Sequence, residues 1–105
     1  MKFKIFEGGK LKEEMKRCVE EGYFPATISQ IGKLIKSKKI PKQGYDTGNV
    51  IQDYKIRKIT KKECFDLQKA YDDGVRVLFV GYYGSSGLSG DYDIDNYGRV
   101  LGVKK

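Results

Sequence analysis

The chain has no histidine and no tryptophan, and only two cysteines and two prolines in 105 residues. Without histidine there is no Ser-His-Asp or Cys-His nucleophile pair and no imidazole-ligated metal site. Two thiols cannot hold zinc by themselves. Cys18 and Cys64 fall on core-facing positions of expected helices, so both read as structural, with a disulfide between them left open. Long hydrophobic runs are missing as well. The longest apolar stretch, Val77-Leu78-Phe79-Val80, has four residues, far short of the ~20 that span a bilayer. The opening Met1-Lys2-Phe3-Lys4-Ile5-Phe6 carries lysines but no long apolar segment, and so does not read as a secretory signal. These absences point to a cytoplasmic protein without metal or cofactor, in which no complete set of catalytic groups is visible.

Arginine is scarce too. The net charge of +7 rests almost wholly on lysine, with arginine only at positions 17, 57, 76 and 99. Such a balance attracts nucleic acid and other polyanions, but base-reading sites favour arginine. A lysine-rich composition is also what a thermophile or an AT-rich genome produces. At 39% hydrophobic and 33% charged residues the chain reads as an ordinary folded one, and its length suits one domain, 1–105, with one core.

Residues 3–6 read as a short strand that Gly8-Gly9 breaks. Leu11, Met15, Cys18 and Val19 then recur at helical spacing up to Gly22, a natural stop. Tyr23-Phe24-Pro25 must be extended or turning. Thr27-Ile28-Ser29-Gln30 fits a capping box that opens a second helix, with Ile28, Ile31, Leu34 and Ile35 as its apolar stripe. Tyr45-Asp46-Thr47-Gly48-Asn49 has turn chemistry, and 50–59 reads as one edge strand. Thr60-Lys61-Lys62-Glu63 is a second capping box, starting a helix with Cys64, Leu67 and Tyr71 inward and Gly74 at its close. The unbroken apolar run in 75–80 predicts a central strand covered on both faces, with Phe79 near-fully buried. The order β-α-α-β-α-β-β predicts an α+β fold, about three helices on a mainly antiparallel sheet of about four strands.

Three constellations could carry function. The loop that follows 75–80 offers Tyr82, Tyr83, Ser85, Ser86, Ser89, Asp91, Tyr92, Asp93, Asp95 and Tyr97. Tyrosine gives contact area at low entropic cost while Ser and Gly adapt around it, the composition of a binding surface. Asp91, Asp93 and Asp95 match the first three ligand positions of an EF-type calcium loop. Asn96 stands where the invariant glycine belongs, however, and Gly102 where the bidentate Glu belongs, so no metal site is expected. Lys61 and Lys62 occupy a first helical turn, where free N–H groups plus lysines could hold a phosphate. With Lys58, Lys33, Lys36 and Lys39 they form the alternative, a nucleic-acid surface with exposed tyrosines for stacking.

The stretch Cys18-Val19-Glu20-Glu21-Gly22-Tyr23-Phe24-Pro25-Ala26-Thr27-Ile28, with the closing Tyr97-Gly98-Arg99-Val100-Leu101-Gly102-Val103, resembles small C-type-lectin-like domains, including those related to formylglycine-generating enzymes. The resemblance covers about a quarter of the chain. Pro25 stands one place early, the Arg-Leu before it is absent, and the usual core tryptophans are missing. No catalytic cysteine has a counterpart, so the resemblance implies a scaffold displaying the loop 84–96 and no activity. The sequence thus reads as a non-enzymatic binding module contacting a protein or other ligand through 82–97, with nucleic-acid binding as the alternative.

Overall fold

The computed structural model describes residues 1–81, 88–91 and 94–104, with 88–91 described in backbone only. Elements follow in the order β1 (Lys2–Lys10), α1 (Leu11–Glu20), β2 (Phe24–Pro25), α2 (Ile28–Lys36), β3 (Tyr45–Gln52), β4 (Lys55–Lys58), α3 (Lys61–Phe65), α4 (Leu67–Asp72), β5 (Arg76–Val80), β6 (Leu88–Asp91) and β7 (Tyr97–Lys104). One mixed sheet runs β1-β7-β3-β5-β6, with β2 added to β7 and β4 added to β3. All pairings are antiparallel except the contact of β3 with β7 at Asp46 and Val100. The Cα radius of gyration, 12.4 Å, is that of one folded unit of this length. Among the described residues, no helix is long and apolar enough to cross a membrane.

Successive residues of a strand point to opposite faces, and β7 shows this division directly. Val100 packs with Phe6, Met15, Cys18, Val50, Cys64, Leu67 and Val77, under α1, α3 and α4. Leu101 and Val103 pack with Tyr45, Ile31, Leu34 and Ile40, under α2. The sheet therefore has helices on both sides and two apolar layers, where the sequence predicts one core.

Several expectations need correction. There are four helices among the described residues. The expected third helix breaks at Asp66 (φ −136°, ψ 69°), whose carboxylate accepts the Lys69 N–H and opens α4. The strands exceed four because 45–52 is a strand, not a turn, and 50–59 is a hairpin, not one strand. Nor does β1 stop at Gly8-Gly9. It continues to Lys10 across a bulge, with Gly8 at φ +109°. The buried Glu14 carboxylate holds that bulge, accepting the Gly9 N–H at 3.0 Å while pairing with Arg17 at 2.8 Å. β5 is an interior strand, paired with β3 on one side and β6 on the other, but the middle of the sheet is β3. Phe79 is half-buried, its ring lying against the backbone of Gly44. Cys18 and Cys64 are buried and unbridged.

Arg57 and Glu63 clamp β4 to α3. The guanidinium donates to both carboxylate oxygens, at 2.8 and 2.7 Å, and Glu63 also accepts from the N–H and hydroxyl of Thr60. The hydrogen bond from Arg57 holds the Glu63 carboxyl down at about 2 against the opposing effect of burial, with smaller lowering contributions from Thr60 and the Arg57 charge. A carboxylate with a depressed folded-state pKa stabilises the fold above its unfolded pKa, and that contribution fades as pH falls through the folded value. Stability is expected to fall on the order of 2 kcal/mol between about pH 5 and pH 2 on this account, after allowing for screening at the part-exposed Arg57. Denaturant midpoints of wild type and Glu63→Gln should converge over that window. Parallel pH profiles would show that the clamp carries none of the acid sensitivity.

Candidate binding cleft

The sequence that ends α1 also builds a wall. Gly22, at φ +85°, lets the chain reverse, with the Gly22 N–H donating to Val19 O and the Tyr23 N–H to Cys18 O. This is the paired bonding of a Schellman stop, for which glycine is the residue without steric cost. Pro25 then keeps the chain extended, so that Phe24 and Pro25 add to β7 opposite Val103 and Gly102. A Cβ at Gly102 would lie within 3 Å of Phe6, Tyr23 and Cys18. Glycine there lets the Tyr23 ring settle edge-on against Phe6, at 5.5 Å between centroids.

The resulting cleft holds about 590 Å³, within the range of small-molecule sites. Val19, Tyr23, Phe24, Val103 and Met1 supply an apolar and aromatic lining, and Gln30, Lys61 and Lys104 its polar ends. Gln30 is anchored by its capping box, its Oε1 accepting the Thr27 N–H at 2.9 Å. The ammonium of Lys104 stands 4.5 Å from the Tyr23 ring centroid and that of Lys58 5.4 Å from the Phe24 ring. Lys2 pairs directly opposite Lys104 across β1 and β7, a like-charge juxtaposition that an anion relieves. No lining residue is acidic. The salt bridges among the described residues engage Lys4, Lys12, Arg17, Arg57 and Arg99, and none of Lys2, Lys58, Lys61 or Lys104. Glu21, next to Gly22, is taken by Lys4 at 2.7 Å.

Of the candidate residues in the loop after β5, the structure describes side chains only for Asp95 and Tyr97. Tyr82, Tyr83, Ser85, Ser86, Tyr92 and Asp93 lie outside the described residues, and Ser89 and Asp91 are described only as backbone of β6. Asp95 binds Lys12 at 2.7 Å, and their hydrogen bond raises the pKa of Lys12 and lowers that of Asp95. The same segment caps α1 through its backbone, Asn96 O accepting from Leu11 N–H and Ile94 O from Lys12 N–H. Asp95 therefore has a structural duty, while Tyr97 is exposed on β7 opposite Lys10.

The expected phosphate-holding pair, Lys61 and Lys62, is divided. Lys61 lines the cleft, whereas Lys62 lines a second hollow of about 220 Å³ with Glu63, Asp66, Lys69 and Asp73, where two lysines face three carboxylates. Thr60 has already taken the Glu63 N–H of that helix end. Lys33 and Lys36 sit exposed on the last turn of α2 and Lys39 just beyond, on the helix that covers the other sheet face. Burial pushes the Cys18 and Cys64 thiols up to about 12, so neither offers a thiolate near neutral pH.

Sequence reasoning did not anticipate that Val19, Tyr23, Phe24, Val103 and Lys104 line one cleft. The available signal was two adjacent aromatics between a helix-stopping glycine and a proline, too local to show what stands opposite them. No family model, curated protein or solved structure matches this chain.

Proposed function

We propose that this protein is a non-enzymatic binding module that takes a small anionic ligand with an apolar body into the cleft between α1, β2, α3 and β7. The observation that carries this reading is a single cleft combining an aromatic and aliphatic wall with lysines that form no salt bridge among the described residues. An apolar tail against Val19, Tyr23, Phe24 and Val103 loses water contact, and a carboxylate or phosphate head accepts from Lys61, Lys104 and the amide of Gln30. Charge-assisted bonds of this kind are shorter and stronger than neutral ones. A C-type-lectin-like scaffold would instead present the loop after β5; in the reading proposed here the ligand sits at a different place.

Titration of the labelled protein with submicellar dodecanoate tests the proposal by NMR, with the uncharged dodecyl maltoside as control. Dodecanoate is expected to move the amide signals of Val19, Gly22, Tyr23, Phe24 and Lys104. The double variant Lys61→Gln/Lys104→Gln should weaken it by about tenfold or more, since one lost charge-assisted bond suffices for that. Equal binding of the neutral detergent, or shifts centred elsewhere, would remove the cleft from consideration.

A further inference from the structure

The β3–β4 hairpin turns on two residues, Asp53 and Tyr54, with φ +51° and +64°. Both central residues of such a turn need positive φ to match the twist of the strands, which is why Asn-Gly and Asp-Gly dominate there. Asp tolerates that conformation; a bulky aromatic is an outlier in it. Lys38, the remaining non-glycine residue with positive φ among the described residues, is explained by its place just past the end of α2, where Lys39 N–H closes on Leu34 O. Nothing comparable explains Tyr54. Its ring contributes nothing to the core, being 98% exposed, and Ile56 beside it is 57% exposed.

The finger is also basic. Between positions 53 and 63 stand Lys55, Arg57, Lys58, Lys61 and Lys62 against Asp53 and Glu63, and the Glu63 charge is consumed by Arg57. An open aromatic face beside uncompensated cations is the arrangement that holds a single nucleic-acid strand, the ring stacking on a base and the lysines meeting phosphates. We propose that the β3–β4 hairpin is a contact finger for single-stranded nucleic acid, with Tyr54 as the stacking residue and Lys55 and Lys58 as phosphate contacts. The strained turn persists because the ring is used. The hairpin shares Lys58 with the rim of the cleft, but its ring and Lys55 lie outside the cleft lining.

Fluorescence anisotropy with labelled dT12 and U12 oligonucleotides, from 25 to 200 mM salt, provides the test. Binding is expected to weaken log-linearly with salt. Tyr54→Ala should lose about fivefold or more in affinity at every salt concentration, the loss of one stacked base. Lys55→Gln/Lys58→Gln should flatten the salt slope by about two phosphate contacts. Tyr54→Gly, which relieves the left-handed backbone, is expected to unfold no earlier than wild type while losing the same affinity, so that loss of fold is not the cause. Absence of binding at 25 mM salt, or binding indifferent to both Tyr54 variants, overturns the proposal. Competition by poly-glutamate with the same Tyr54 dependence overturns it in favour of an acidic protein partner.

Discussion

Gly48→Ala is expected to destabilise the protein by about 3 kcal/mol or more, the high end for forcing atoms into a packed site. A Cβ at this position would sit 2.2 Å from the Pro25 carbonyl oxygen and 2.9 Å from its carbon. Both are backbone atoms, so no side chain can swing aside. The neighbourhood is also tied by short bonds, Gly48 N–H donating to Ala26 O at 2.7 Å and Ile59 N–H to Gly48 O at 2.8 Å. Asn49 adds to them, its Oδ1 accepting the Ile28 N–H while its amide donates to Arg57 O. Relief of the clash would have to part β2 from β3 and loosen the start of α2. The matched control is Gly32→Ala, at a helical position with nothing within 4 Å of the added carbon, where a gain of roughly 0.5–1 kcal/mol is expected. Urea unfolding of the pair settles the matter. Similar midpoints for the two variants would mean that β2 does not approach β3 as described.

Phe6→Ala should cost about 3–5 kcal/mol, the range for emptying a buried aromatic site. Phe6 is fully buried where β1 meets β7, with Tyr23 edge-on and Gly102 leaving room for the ring. The ammonium of Lys4 and the guanidinium of Arg17 also stand 5.1 and 5.5 Å from its centroid, a modest further contribution. Rigid backbones on two sides limit collapse into the cavity. Phe79→Ala, at a half-buried position beside Gly44, should cost clearly less. An unfolding midpoint lowered more by Phe79→Ala than by Phe6→Ala would show that Phe79 is the more deeply buried of the two. Because Tyr23 leans on Phe6, the same variant should also weaken dodecanoate binding in the cleft.

What the sequence determined by itself is local. Thr27 with Gln30 and Thr60 with Glu63 are true reciprocal caps, legible because each satisfies helix-end N–H groups within three residues. Gly22 ends α1 for a reason confined to its own backbone. The apolar stripe of α1 faces the core as its spacing requires. The α+β class and the mainly antiparallel pairing follow from the same local signals.

The tertiary structure decided everything that depends on distant partners. Residues 45–49 have the composition of a turn, yet they begin the strand that joins three others. Their polar groups are used across the fold: Asp46 accepts the Arg99 N–H, Thr47 donates to Leu78 O, and Asn49 holds α2 to β4. The small size of Gly48 serves contact with Pro25, not chain reversal. In the same way, the imperfect alternation of 50–59 reflects a hairpin whose tip lies at Asp53 and Tyr54, so two short strands were superimposed on one pattern. The cleft is the extreme case, since its lining comes from residues 1, 19, 22–24, 30, 61 and 103–104. Periodicity records which face of an element is apolar. It does not record which element will stand opposite, because strand pairing is set by hydrogen bonds and packing between residues far apart in the chain.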